Sequence, residues 1–279
     1  MLVDKPAGLT SHDVVQRVRL ALKTRAVGHT GTLDPFATGL LVVLVGRATR
    51  LARFVEGQPK TYLATARLGV ATDTDDLTGT PLGQPAGLAG LTEAAVRAAL
   101  DGFVGPQRQR PPRFSAKHVA GERSYRLARR GVGVDPAEAD VTVHRIDLVS
   151  FTPPDLVFRA AVSAGTYVRA LARDLGGRLG VGAHLTALRR EAIGALRVED
   201  AIALEALGPD ALRPPRAALG HLPALELDDP GRAAVSHGRA VPSDAGARGD
   251  VALVHGDELV AVARAEDGWL RPSVVLGTP

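Results

Sequence analysis

Twenty-three residues constrain this chain more than any others. Gly28 to Arg50 reads G-H-T-G-T-L-D-P-F-A-T-G-L-L-V-V-L-V-G-R-A-T-R. Leu40 to Val45 is an unbroken aliphatic run between Gly39 and Gly46, the pattern of a strand buried on both faces. Ahead of it, Gly28 to Gly39 carries three glycines, three threonines, one proline and a single carboxylate, Asp34. Glycines let such a loop approach a ligand closely, and a carboxylate held there can act as a nucleophile. Aspartate before proline also shapes ordinary turns. The local string leaves both readings open.

The rest of the composition narrows the classes. At 279 residues the chain has room for one large or two ordinary domains. It has no cysteine, which excludes disulfides, thiolate metal sites and a cysteine nucleophile. No two of the eight histidines stand at ligand spacing on a helix, so no metal is expected. No P-loop, dinucleotide fingerprint or G-x-S-x-G is present. No signal peptide is visible, because Asp4 and Lys5 interrupt the early apolar residues. The longest aliphatic run is far short of a membrane span. The expectation is a soluble cytoplasmic protein with no membrane partner. The net charge of +4 is unevenly spread: residues 222–279 carry 5 Lys and Arg against 9 Asp and Glu, and the remainder 29 against 21. The basic surface therefore belongs to the first 221 residues, and a basic surface suits nucleic acid.

Along the chain, Leu2 to Gly8 reads as a short strand and a turn. Thr10 and Asp13 form a capping box for a helix running to about Lys23. Lys60 to Gly69 reads as a strand, and Ala71 to Gly79 as an acidic loop without the carboxylate spacing of an EF-hand. Pro81 to Gly90 reads as irregular, and Thr92 caps a helix with Val96, Leu100 and Phe103 on its apolar face. Arg108 to Arg130 holds eight Lys or Arg and one acid, with Phe114 and Tyr125 interleaved, which suits an RNA backbone and unstacked bases. Such a run also suits a merely solvated face. Val141–Ser150 and Leu156–Ser163 alternate as strands. A helix then follows with Thr166 as N-cap and Tyr167 and Arg169 in its first turn. Gly208 to Pro223 reads as a linker, and Leu222 to Pro279 as a small β-barrel.

Gly28 to Leu41 resembles, without a gap, the signature G-H-x-G-x-L-D-P-x-A-x-G-[LM]-L of the TruB-type tRNA pseudouridine synthases. The basic segment resembles that family's RNA-gripping insertion through Phe114-Ser115-Ala116, Gly121, Arg123, Tyr125 and Ala128-Arg129, with His118 where lysine is usual. Lys5-Pro6 matches the family's D-K-P, and the H-G-R around His237 and L-R-P around Arg271 resemble its PUA-like end domain. The resemblance implies an α+β pseudouridine-synthase fold with a mixed, largely antiparallel central sheet, residues 1–220, and a PUA-like β-barrel, residues 221–279. It implies that Asp34 is the nucleophile, that Arg169 pairs with it, and that Tyr62 stacks on the target uracil and relays a proton. It places His29, Tyr167 and Leu188 around the flipped nucleotide, and makes Lys5 and Arg50 phosphate contacts or loop braces. Asp76 matches an aspartate of the acidic loop. The implied reaction isomerises uridine to pseudouridine at position 55 in the T-loop of tRNA. It needs no cofactor or metal, and a monomer without guide RNA would carry it out. The same scaffold without activity would be a tRNA-binding or tRNA-folding protein.

Overall fold

The computed structural model describes residues 1–114, 118–119, 122–123, 136–243 and 247–277. β1 (Leu2–Lys5) opens the chain, and Thr10 caps α1 (Ser11–Ala21). The Thr10 hydroxyl accepts from the Asp13 N–H at 3.1 Å and the Asp13 carboxylate accepts from the Thr10 N–H at 2.8 Å. This reciprocal pair satisfies two of the orphan donors at the helix start. The helix ends at a Leu22 C-cap, slightly short of the expected Lys23.

β2 (Val27–His29), β3 (Thr38–Val45), α2 (Ala52–Glu56) and β4 (Lys60–Leu68) follow. The acidic loop is a small hairpin of β5 (Ala71–Thr72) and β6 (Pro81–Leu82), so the stretch expected to be irregular begins with paired backbone. Thr92 caps α3 (Glu93–Asp101), accepting from Ala95 N–H at 3.2 Å. β7 (Gly105–Gln109), the short β8 (His118–Val119) and β9 (Glu122–Arg123), β10 (Ala139–Thr152) and β11 (Asp155–Val162) lead to α4 (Val168–Arg178). β12 (Ala183–Ile193) and β13 (Leu196–Arg197) complete the first sheet. Its strands run β1-β3-β12-β4-β11-β10-β7, with β13 on β12 and β2 on β3. Every pairing is antiparallel except β3 with β12.

That one parallel contact is close. Arg189 and Arg190 pair with Thr38 and Gly39. Gly39 has φ +100°, and a Cβ there would run into the Arg190 carbonyl. Only glycine can join the Asp34 loop to the sheet at this point. Beyond it β3 is buried on both faces. Leu41 and Val43 pack against Val14, Val15 and Val18 of α1. Leu40, Val42 and Leu44 pack the other way. α3 and α4 cover the same face of the sheet as Tyr62, Ala64 and Ala66, through Val96, Leu100, Leu171 and Leu175.

Four 3-10 turns between Val198 and Leu219 carry the chain to a second sheet. It consists of β14 (Ala224–Glu226), β15 (Val241–Pro242), β16 (Gly249–His255), β17 (Glu258–Glu266) and β18 (Trp269–Val275), with α5 (Asp229–Ser236) against it. The order β14-β16-β17-β18-β15 leaves β14 and β15 as two separate edges among the described residues. This is an open sheet, not the closed barrel expected from the sequence. β15 is two residues long and ends at Pro242, which has no N–H to extend a ladder. The two sheets share one hydrophobic cluster, in which Leu40, Val42, Leu44 and Leu51 meet Ala252, Leu259, Val262 and Val274.

Candidate active site

A cavity of about 260 Å³ opens on the face of the first sheet. That is below the range of roughly 300–1,000 Å³ typical of drug-sized ligands and suits one nucleobase better. Three elements line it. The β2–β3 loop gives Thr32, Leu33 and Asp34, the β11–α4 corner gives Gly165 to Arg169, and the sheet gives Lys60, Tyr62, Leu188 and Arg190.

Asp34 and Arg169 come from segments 135 residues apart and meet at the cavity. Arg169 Nη2 donates to Asp34 Oδ1 at 3.1 Å, and Nε lies 3.0 Å from Oδ2. That Nε makes no aligned hydrogen bond, so the second contact is Coulombic. Nη1 donates to the Thr74 carbonyl at 2.9 Å and to Asp76 Oδ2 at 3.2 Å, and Nη2 also reaches the Phe114 carbonyl at 2.9 Å. The arginine side chain is only 5% exposed, against 34% for Asp34. A buried guanidinium thus bridges two carboxylates, one open to the cavity and one interior. Asp76 is itself pinned: its Oδ1 accepts from the Thr74 hydroxyl, the Thr78 hydroxyl and the Thr78 N–H at 2.8, 2.6 and 2.9 Å. Next to it, Asp75 pairs with Arg173 of α4 at 3.0 Å, so the acidic hairpin is riveted to the helix twice.

A guanidinium this close ordinarily holds a carboxyl below its usual range. For Asp34 burial dominates and pushes it up; Arg169 opposes this, and the nearby Asp76 adds to the rise. The third of the side chain that faces the open cavity tempers that effect through solvent.

The helix start departs from expectation. The N-cap of α4 is Tyr167, not Thr166, and no side chain caps the helix. Gln109 of β7, itself buried, explains this. Its Oε1 accepts from the Tyr167 N–H at 2.8 Å and its Nε2 donates to the Tyr167 carbonyl at 3.1 Å. Thr166 Oγ1 lies 3.2 Å from Ser163 Oγ instead.

The structure brings Asp34, Arg169, Tyr62, Tyr167 and Leu188 to one cavity and leaves three expected residues elsewhere. His29 is on β2 and is not among the lining residues; its Nδ1 is buried and has no partner among the described residues, and burial lowers its pKa. Lys5 is fully buried. Its ammonium donates to the carbonyls of Pro6 at 2.9 Å and Leu9 at 2.7 Å, and lies 3.4 Å from that of Pro35. It braces the turn beneath the Asp34 loop and cannot face a phosphate; burial lowers its pKa to about 8. Arg50 is far from the cavity: its Nη1 donates to the Val275 carbonyl of β18 at 2.7 Å. Beside it, Arg47 Nη1 donates to Leu276 and Gly277 carbonyls at 3.1 and 3.3 Å. Sequence reasoning missed Lys60, Arg190 and Gln109, whose roles arise only from long-range pairing. Within the basic insertion, residues 115–117, 120–121 and 124–135 lie outside the described residues, Tyr125 among them. Among the described residues no group of three His, Asp or Glu is placed to hold a metal, and no helix is long and apolar enough to cross a membrane.

Known proteins resemble this chain in sequence and in fold. The family described as TruB family pseudouridylate synthase (N terminal domain) matches residues 19–168. The tRNA pseudouridine synthase B of Gloeobacter violaceus is 45% identical over 287 residues, covering 99% of this chain and 98% of that protein. Those of Thermobifida fusca and Deinococcus radiodurans are 45% and 40% identical, covering 99% and 96% of this chain and 97% and 96% of their own lengths. Among solved structures, a Cbf5–Nop10–Gar1 complex aligns with a TM-score of 0.76 at 29% identity, over 99% of this chain and 84% of that one. The archaeal box H/ACA sRNP Nop10–Cbf5 complex aligns at 0.74 and 28%, over 99% and 86%. With more than half its length matched by the family and full-length relatives above 40% identity, the chain belongs to the TruB family of pseudouridylate synthases.

Proposed function

We propose that this chain isomerises uridine to pseudouridine at position 55 in the T-loop of tRNA, with Asp34 as nucleophile. The observation that carries the assignment is a carboxylate at the mouth of a base-sized cavity, gripped by a buried arginine that a second carboxylate holds in place. The uridine leaves its stack and enters the cavity against Tyr62. Asp34 adds to the nucleotide, the N1–C1′ bond breaks and the base turns. C5 then bonds to C1′, the bond to Asp34 breaks and frees the carboxylate, C5 loses its proton, and N1 carries one in the product. Atoms balance within the substrate, so nothing else is consumed. Arg169 holds Asp34 in position and offsets the cost of its charge. Tyr62 and Leu188 contact the uracil, and Tyr167 closes the cavity from the α4 side. Residues 1–220 form the catalytic domain, and 221–279 a PUA-like domain.

Full-length relatives named tRNA pseudouridine synthase B, at 40–45% identity, favour tRNA as substrate. The solved Cbf5 complexes, one of them of a box H/ACA sRNP, are more distant, at 28–29%. We therefore assign action as a monomer without a guide. The test incubates unmodified tRNA with the protein and maps pseudouridine by carbodiimide adducts that stop reverse transcription. A single new stop at position 55 is expected. Stops elsewhere, or tRNA binding with no stop, would replace this reading with a different target or a non-catalytic RNA-binding role.

A further inference from the structure

The cavity has a second wall, on the sheet. Lys60 and Tyr62 stand two residues apart on β4 and so share a face of the sheet. Arg190 is the cross-strand partner of Tyr62, and β12 bulges between Arg190 and Ala192. Bulges beside sites re-aim side chains, and here all three side chains line the cavity. Lys60 is buried at 7% exposure. Its ammonium donates to the carbonyls of Glu56 and Gln58, which leaves one of its three N–H groups uncommitted among the described residues. Arg190 donates from Nε to the Leu40 carbonyl at 2.7 Å and from Nη2 to the Gly31 carbonyl at 3.1 Å. Its Nη1 hydrogen-bonds to none of the described residues.

Asp34 enters the cavity from the β2–β3 loop, and Lys60 from the start of β4 in the sheet. The two therefore line different walls. Whether a nucleophile takes C6 or C1′, it works on the N1–C6 side of the pyrimidine. The opposite ring edge is N3–C4, with its exocyclic O4. Resting on the reading of this cavity as the uridine site, we propose that Lys60, flanked by Arg190, donates a hydrogen bond to O4 of the flipped uracil and separates uracil from cytosine.

The chemistry fits both demands. Cytosine presents an amino group where uracil presents O4, so the ammonium would meet a donor and both groups would go unpaired. Addition at C6 or departure of the base puts negative charge on the ring, which spreads to O4. A cationic donor there binds the transition state more tightly than the ground state.

The experiment compares single-turnover release of C5 tritium from tRNA with uridine or 4-thiouridine at position 55, using the native chain and Lys60→Met. Sulfur at C4 is a poor acceptor, so the native chain should slow by ~10-fold or more on the analogue. Lys60→Met should lose ~10-fold or more on uridine and differ by less than ~2-fold between the two substrates. Lys60→Arg, which keeps a charged donor, should restore discrimination. If Lys60→Met keeps the native ratio, Lys60 only supports the Glu56–Gln58 turn and the proposal is overturned. Equal native rates on both substrates would overturn it too, and that comparison stands even if the methionine variant fails to fold. No release from uridine tRNA by the native chain would instead sink the assignment of the cavity itself.

Discussion

At the scale of single residues the site is a problem in burying charge. Arg169 is almost fully enclosed and has two carboxylates within 3.2 Å. Removing the interior one, Asp76, leaves the guanidinium under-compensated in a place water does not reach, whereas solvent at the cavity mouth can stand in for Asp34. Asp76→Asn should therefore lower the unfolding free energy by about 3 kcal/mol, read from urea denaturation. It should also slow isomerisation by roughly 10–100-fold, because Arg169 then no longer holds Asp34 in one place. The pH dependence follows from the direction of the Asp34 shift. Burial raises its pKa, and attack needs the ionised form. The single-turnover rate should be full above the raised pKa and fall as pH drops through it, with that limb lying above the ordinary carboxylate value of about 3.9. A limb at or below the ordinary value would mean that Arg169 outweighs burial. For stability the sign is opposite. The folded state binds this proton more tightly than the unfolded chain, so Asp34 contributes stability at low pH that is lost as pH rises through the folded pKa. Asp34→Asn should then melt no lower than the native chain at neutral pH.

At the scale of elements, two short devices place the loop. The Thr10–Asp13 box fixes where α1 begins, and Thr10→Ala should cost about 1 kcal/mol in stability while leaving the isomerisation rate unchanged. Gly39 is less forgiving. Its left-handed backbone and its closeness to the Arg190 carbonyl mean that Gly39→Ala must separate β3 from β12. A loss of more than about 2 kcal/mol together with most of the activity is expected; a stable, active Gly39→Ala would show that the junction gives easily. These elements were legible in the sequence because their signals are local. The capping box sits within four residues, and the six aliphatics from Leu40 to Val45 announce a strand covered on both sides. Asp34 is legible in a contiguous motif, Tyr62, Tyr167, Leu188 and Arg169 only through the family resemblance, and the fold lines one cavity with all five. For Lys5 the sequence left phosphate contact and loop brace open, and the folded chain shows the brace, in the carbonyls that accept its hydrogen bonds. Gln109 and Arg190 carried no local signal. One braces the start of a helix 58 residues away and the other reaches a carbonyl 150 residues away.

At the scale of the molecule, the two sheets are not beads on a linker. β3 gives one face to α1 and the other to the second sheet. Arg47 and Arg50 then fasten the turn after β3 to the end of β18. Arg50→Ala should consequently leave the salt dependence of tRNA binding unchanged, since that side chain is spent on a backbone carbonyl; a slope reduced by about one would show that it meets a phosphate. Ending the chain at residue 220 would uncover Leu40, Val42, Leu44 and Leu51. The fragment should bind a hydrophobic dye and unfold without a sharp transition, and a cooperative, fully active fragment would contradict the shared core. The net-acidic residues 222–279 thus support the remainder through packing, while the net positive charge of the remainder suits RNA. The most direct test of the whole account is release of tritium from C5 of uridine-labelled tRNA by the native chain and by Asp34→Asn. Release by the native chain, and none by a folded Asp34→Asn that still binds tRNA, is the predicted result. Release by Asp34→Asn at the native rate would show that Asp34 is not the nucleophile.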